Sequence, residues 1–131
     1  MKLGRHQEKW VKALESGDYK QGKGCLAQHS KNGKLRFCCL GVACEISKIS
    51  KWESSNELSM TYAGAHGGLP GPVMEWLGIR DETGSLVNDE GEYIHTKNAD
   101  CLSSMNDSGW SFKKIAKFIR WNAELIFEES K

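Results

Sequence analysis

The chain has no long apolar run, and nothing in it approaches the length of a membrane span. Its opening stretch, MKLGRHQEKWVKALESG, is charged throughout and holds no apolar segment of signal-peptide length. These features make the cytosol the expected location and a membrane partner unexpected. Charge of one sign is also missing. The net charge is +1, which gives no strong nucleic-acid signal and is too neutral for a DNA mimic. The lysines are unevenly spread, which leaves room for a local basic patch. Five cysteines in a chain without an export signal are expected to be reduced thiols.

What is present suits one ordinary domain. The 131 residues can bury a real core without disulfides or metal. The hydrophobic fraction, 39%, and the charged fraction, 27%, are those of a globular protein. Trp10, Val11 and Leu14 share one stripe of a helix over His6 to Ser16, and Gly17 stops it. Tyr19 to Gln28 reads as an irregular start and then a strand. Lys31-Asn32-Gly33-Lys34 is a hairpin turn, returning through Leu35-Arg36-Phe37-Cys38-Cys39. Leu40, Val42, Ala43 and Ile46 predict a short buried helix to about Ser47, with Gly41 permitting close packing on the sheet.

Residues 47–71 are rich in Ser, Gly and Asn, and read as a long irregular loop. Pro72 to Gly78 is a compact helix with Pro in its first turn and Gly past its end. Ser85 to Val87 and Glu92 to His95 flank a second turn. Cys101 to Asp107 predicts a short helix. Ser111 caps the last helix, whose stripe of Phe112, Ile115, Ala116, Phe118, Ile119 and Ala123 runs to about Phe127. Helices and hairpins that do not alternate strictly predict an α+β domain over residues 1–131, with helices packed on a small antiparallel sheet.

Metal, thiol and acid–base chemistry find little support. Cys39 and Cys44 are at permitted ligand spacing, but no second knuckle or His pair follows. Cys38 and Cys39, read as strand residues, point their sulfurs to opposite faces. Burial in an apolar run raises a thiol pKa and lowers its reactivity, so a thiol enzyme with His29, His66 or His95 as base is the weaker reading. No carboxylate pair argues general acid–base work. The reading leans against an enzyme, and no cofactor or metal is expected.

The segment Lys20-Gln21-Gly22-Lys23-Gly24 is the best candidate site. Two glycines let backbone amides approach an oxyanion, and Lys20, Lys23 and Arg36 add charge. It lacks the GxxxxGK[ST] frame and precedes a strand, so ATP hydrolysis is not predicted. The bland alternative is a glycine bend with solvated lysines. Asn106 and Asp107 could read a sugar or base. Trp52 and Tyr62 are stacking surfaces or, equally, anchors to the core.

Four segments together carry a resemblance. They are W-x-x-A-L-x-S-G-x-Y-x-Q-G-K-G-x-L (Trp10 to Leu26), F-C-C-L-G-V-x-C (Phe37 to Cys44), L-P-x-x-V-x-x-W-L-G (Leu69 to Gly78) and M-N-D-x-G-x-S-F-x-x-I-A-x-F-I (Met105 to Ile119). In this order they resemble a family of small, largely uncharacterised phage and prophage proteins. No catalytic role comes with the resemblance. It implies a cytosolic accessory protein, and such proteins often block host defences by sequestering a nucleotide signal or by binding a host protein. The leading expectation is a non-enzymatic protein that binds a phosphorylated, nucleotide-like ligand. The rival is an inhibitor of a host defence protein, and self-association into a homo-oligomer is left open.

Overall fold

A computed structural model describes residues 1–56, 58–95 and 100–129. The fold is α+β, and one continuous core runs through it. Helix α1 (Arg5–Ser16) buries Gln7, Trp10, Val11 and Leu14, and Gly17 ends it in the left-handed conformation at φ 80°. Strands β1 (Ala27–His29) and β2 (Leu35–Phe37) form the expected hairpin, with Gly33 at φ 80° in its turn. Helix α2 (Cys39–Ser47) is buried nearly all round and lies at the centre. It presses against the chain at Leu26. A Cβ on Gly41 would lie 1.8 Å from the Leu26 carbonyl oxygen, so only glycine fits there.

The stretch expected to be an irregular loop holds a second hairpin. Strand β3 (Trp52–Ser54) pairs with β4 (Ser59–Tyr62), and β4 pairs with β1. The sheet order is β2-β1-β4-β3, antiparallel throughout. Ala27, Phe37, Met60 and Tyr62 face the core, while Gln28 and Arg36 share the outer face. Because β4 brings only two large apolar side chains to the core, Met60 and Tyr62, and β3 is an edge, the segment needs few apolar residues and reads as a loop.

A second correction concerns the cysteine pair. Strand β2 stops at Phe37. Cys38 is the N-cap of α2 and Cys39 its first residue, and both are buried. The opposite-face argument therefore lapses. The helix-end backbone, not a pleat, sets the two side chains.

Helix α3 (Gly71–Leu77) has Pro72 in its first turn and Gly78 at φ 74° beyond its end. Buried Gln7 ties α1 to it by donating from Nε2 to the Leu77 carbonyl at 3.0 Å. Strands β5 (Leu86–Val87) and β6 (Tyr93–Ile94) make a small separate hairpin. Helix α4 (Leu102–Asp107) leads to α5 (Phe112–Trp121), which Ser111 caps by accepting from the Lys114 amide. The last helix is shorter than expected. It breaks at Asn122, and α6 (Ala123–Ile126) follows. Phe112, Ile115, Ala116 and Ile119 are buried, whereas Phe118 is half-buried and meets Trp110 edge-on at 5.9 Å. Arg120 straps α5 to α1 through Glu8 at 2.8 Å and Glu15 at 2.9 Å.

Candidate functional site

The Lys20–Gly22 backbone runs alongside β2 as an extra strip of sheet. The Phe37 amide donates to the Lys20 carbonyl at 2.8 Å, and the Gly22 amide donates to the Phe37 carbonyl at 2.7 Å. A Cβ on Gly22 would be tightly placed, 3.0 Å from the Arg36 Cβ and 3.1 Å from Gln28 Oε1. The next two amides are also taken. Lys23 donates to Gln28 Oε1 at 3.3 Å, and Gly24, at φ +85°, donates to Asp107 Oδ1 at 3.0 Å.

The expected phosphate cradle of free amides at Gly22, Lys23 and Gly24 is therefore corrected. Side chains and backbone of the protein already occupy all three, and at Gly24 the occupant is a carboxylate. Asp107 stands where an oxyanion would stand, so it closes the nest rather than reading a ligand.

Asn106 is corrected likewise. It is fully buried. Its Oδ1 accepts from Gln21 Nε2 at 2.8 Å and from the Cys39 amide at 3.1 Å, and its Nδ2 donates to the Gly22 carbonyl at 2.8 Å. One side chain thus satisfies an orphan amide at the start of α2 and holds the glycine strip in place. Gln21 Nε2 also donates to the Trp110 carbonyl at 2.7 Å. Gln21, Gly22, Gly24, Asn106 and Asp107 do come together, but as an internal brace. Among the described residues no buried side-chain nitrogen or oxygen lacks a partner.

Trp52 and Tyr62 are brought together, with ring centres 4.8 Å apart, and Phe37 meets Trp52 at 5.7 Å. Tyr62 is 1% exposed and its hydroxyl accepts from the Ser50 amide at 2.7 Å. It is a core anchor with no face for a ligand. Trp52 is half-buried and donates from Nε1 to Glu45 Oε2 at 2.6 Å.

What remains open is the charge. Lys20 and Arg36 line a surface hollow of about 510 Å³ on the β1–β2 hairpin, together with Lys31 from the turn and Gln28, His29 and Asn32 between them. No carboxylate lines it. Among the described residues none of these three cations forms an ion pair. Lys23 faces elsewhere, into a neighbouring hollow of about 360 Å³ that includes Asn56, Ser59 and His66. Gln28 borders both. Sequence reasoning missed Lys31, although the Asn-Gly turn that fixes its place was legible.

Another hollow, of about 490 Å³, lies between α1 and α3, where His6 stacks on Trp76 at 4.3 Å. Glu75, Glu128 and Glu129 outnumber Arg5 in its lining, which disfavours an anion there. The thiols are quiet. Burial pushes Cys38 up to about 11 and also raises Cys39 and Cys44, in each case chiefly through lost solvation of the thiolate. Among the described residues no three His, Cys, Asp or Glu side chains gather as a metal site. No described helix is long and apolar enough to cross a membrane.

Searches of curated proteins and of solved structures find no match to the chain. A family model does match, over residues 1–123. The chain belongs to the family described as Domain of unknown function (DUF8296).

Proposed function

We propose that the protein is a non-enzymatic binding protein that holds a phosphorylated small ligand in the hollow of the β1–β2 hairpin. The observation that carries the reading is the grouping of Lys20, Lys31 and Arg36 around a space with no carboxylate and no ion-pair partner. Unpaired cations around one concave space repel each other, and an anion relieves that repulsion. Arg36 supplies a planar fork suited to two phosphate oxygens, and the lysines supply point charges. A volume of about 510 Å³ is within the range of small-ligand sites. Beyond Gln28, the hollow with Asn56, Ser59 and His66 offers hydrogen-bonding groups for a sugar or base.

The resemblance to small phage and prophage proteins supplies the setting. In this reading the ligand is a nucleotide-derived immune signal, and the protein withholds it from host defence in the cytosol. Tight holding without turnover is enough for that role. The test is a thermal-shift panel of inorganic phosphate, nucleotides and cyclic oligonucleotides. A ligand at a hundred times its Kd stabilises the fold by about 2.7 kcal/mol. Lys20→Ala, Lys31→Ala and Arg36→Ala combined should melt near the wild type and lose the shift. A combined variant that keeps the full shift, or a wild type that none of the panel stabilises, refutes the assignment.

A further inference from the structure

We infer that the outward face of α5 binds single-stranded nucleic acid, independently of the hairpin hollow. The net charge of +1 conceals an uneven distribution. Lys113, Lys114, Lys117 and Arg120 all lie on the exposed side of α5, opposite Phe112, Ile115, Ala116 and Ile119. The helix itself carries no carboxylate. Arg120 is committed to Glu8 and Glu15. Among the described residues the three lysines form no ion pair.

Trp121 closes the row and is 77% exposed, the most exposed large hydrophobic side chain described. An indole left this far in water is a cost unless something covers it. Lys113, Lys117 and Trp121 follow at intervals of four residues, so they stand one above another on the helix, about 6 Å apart along its axis. The Lys117 amine lies 5.7 Å from the Trp121 ring centre. At the other end of the face the Lys114 amine lies 4.1 Å over the Trp110 ring. Cations in line beside flat rings match what a single strand offers, namely phosphates along one edge and unpaired bases that stack.

An acidic protein surface is the competing occupant, and the composition of the face disfavours it. A protein interface is built on a contiguous apolar centre. Of the exposed large hydrophobic residues only Trp121 lies on α5. The nearest carboxylate beyond the row on the chain, Glu124, is turned to the N-terminal amine at 3.7 Å.

Fluorescein-labelled oligo(dT) of about 20 nucleotides, titrated at 50 and 200 mM salt, tests the inference by anisotropy. Saturable binding should weaken with salt. Lys113→Ala with Lys117→Ala should reduce the log–log slope by about 1.4, at about 0.7 for each phosphate no longer neutralised. Trp121→Ala should weaken binding at least about five-fold. Lys34→Ala with Lys51→Ala removes the same charge from the sheet's two hairpins, outside the hollow, and should leave binding within two-fold. Oligo(dT) should also quench the tryptophan emission of the unaltered protein, which needs no variant to fold. No saturable binding, equal weakening in the hairpin control, or no effect of Trp121→Ala overturns the inference. Poly-glutamate binding as tightly as the strand assigns an acidic partner instead and overturns it too.

Discussion

Replacing Asn106 with alanine separates a brace from a ligand-reading side chain. The side chain is fully buried and makes four hydrogen bonds, to Gln21 Nε2, the Cys39 amide, the Gly22 carbonyl and, at 3.4 Å, Asp107 Oδ1. Alanine leaves the Cys39 amide and the Gly22 carbonyl without those partners. A buried polar group stripped of its partner costs about 1–3 kcal/mol. Two such groups, with the Gln21 hydrogen bond, bring the expected destabilisation to about 3–5 kcal/mol. That is a large part of the roughly 5–15 kcal/mol that holds a domain together. In urea, with a slope of about 1–3 kcal/mol/M, the midpoint should fall by at least about 1 M. Equilibrium unfolding followed by tryptophan fluorescence measures it. Asn106→Asp should also lose stability, because its carboxylate would face the Gly22 carbonyl and cannot donate when ionised. A midpoint for Asn106→Ala within about 0.2 M of the wild type would refute the brace and return Asn106 to the candidates for ligand contact.

Other outcomes follow from single contacts. Gly41→Ala should be severely destabilising, seen as a fall in the folded fraction, because its Cβ would sit 1.8 Å from the Leu26 carbonyl oxygen. Ile115→Ala should cost about 2–5 kcal/mol, while Lys113→Ala on the opposite face should leave the urea midpoint unchanged. Burial alone would raise the Asp81 carboxyl, but hydrogen bonds from the Thr83 hydroxyl, the Ser85 and Thr83 amides and the Tyr93 hydroxyl outweigh it and hold the pKa below the ordinary carboxylate value. Its stabilising effect is therefore present above the unfolded pKa and is lost as pH falls through the folded one. The melting temperature of Asp81→Asn should converge with that of the wild type at acid pH, and a constant gap down to about pH 2 would contradict this.

The sequence was most legible where one residue type answers a local demand. The stripe of α1, Gly17 and Gly78 at helix ends and the Asn-Gly turn all follow from short-range chemistry. The β3–β4 hairpin escaped because an edge strand with one wet face carries little apolar signal. The site was misjudged for a different reason. Whether the amides at Gly22 and Gly24 are free depends on Phe37 and on Asp107, and Asp107 lies 83 residues from Gly24. No local pattern shows that a distant carboxylate fills a glycine nest. The hollow's cations were half visible, since Lys20 and Arg36 stood out while Lys31 looked like ordinary turn charge.

The most direct measurement of the central claim is the identity of what the protein retains. Tagged wild-type protein and the Lys20→Ala, Lys31→Ala, Arg36→Ala variant are incubated in lysate from phage-infected cells, washed and heat-denatured. The released small molecules are then identified by mass spectrometry. A phosphorylated compound should be released from the wild type in near-stoichiometric amount and be missing from the variant. Release of no phosphorylated compound from either protein, or equal release from both, would contradict it.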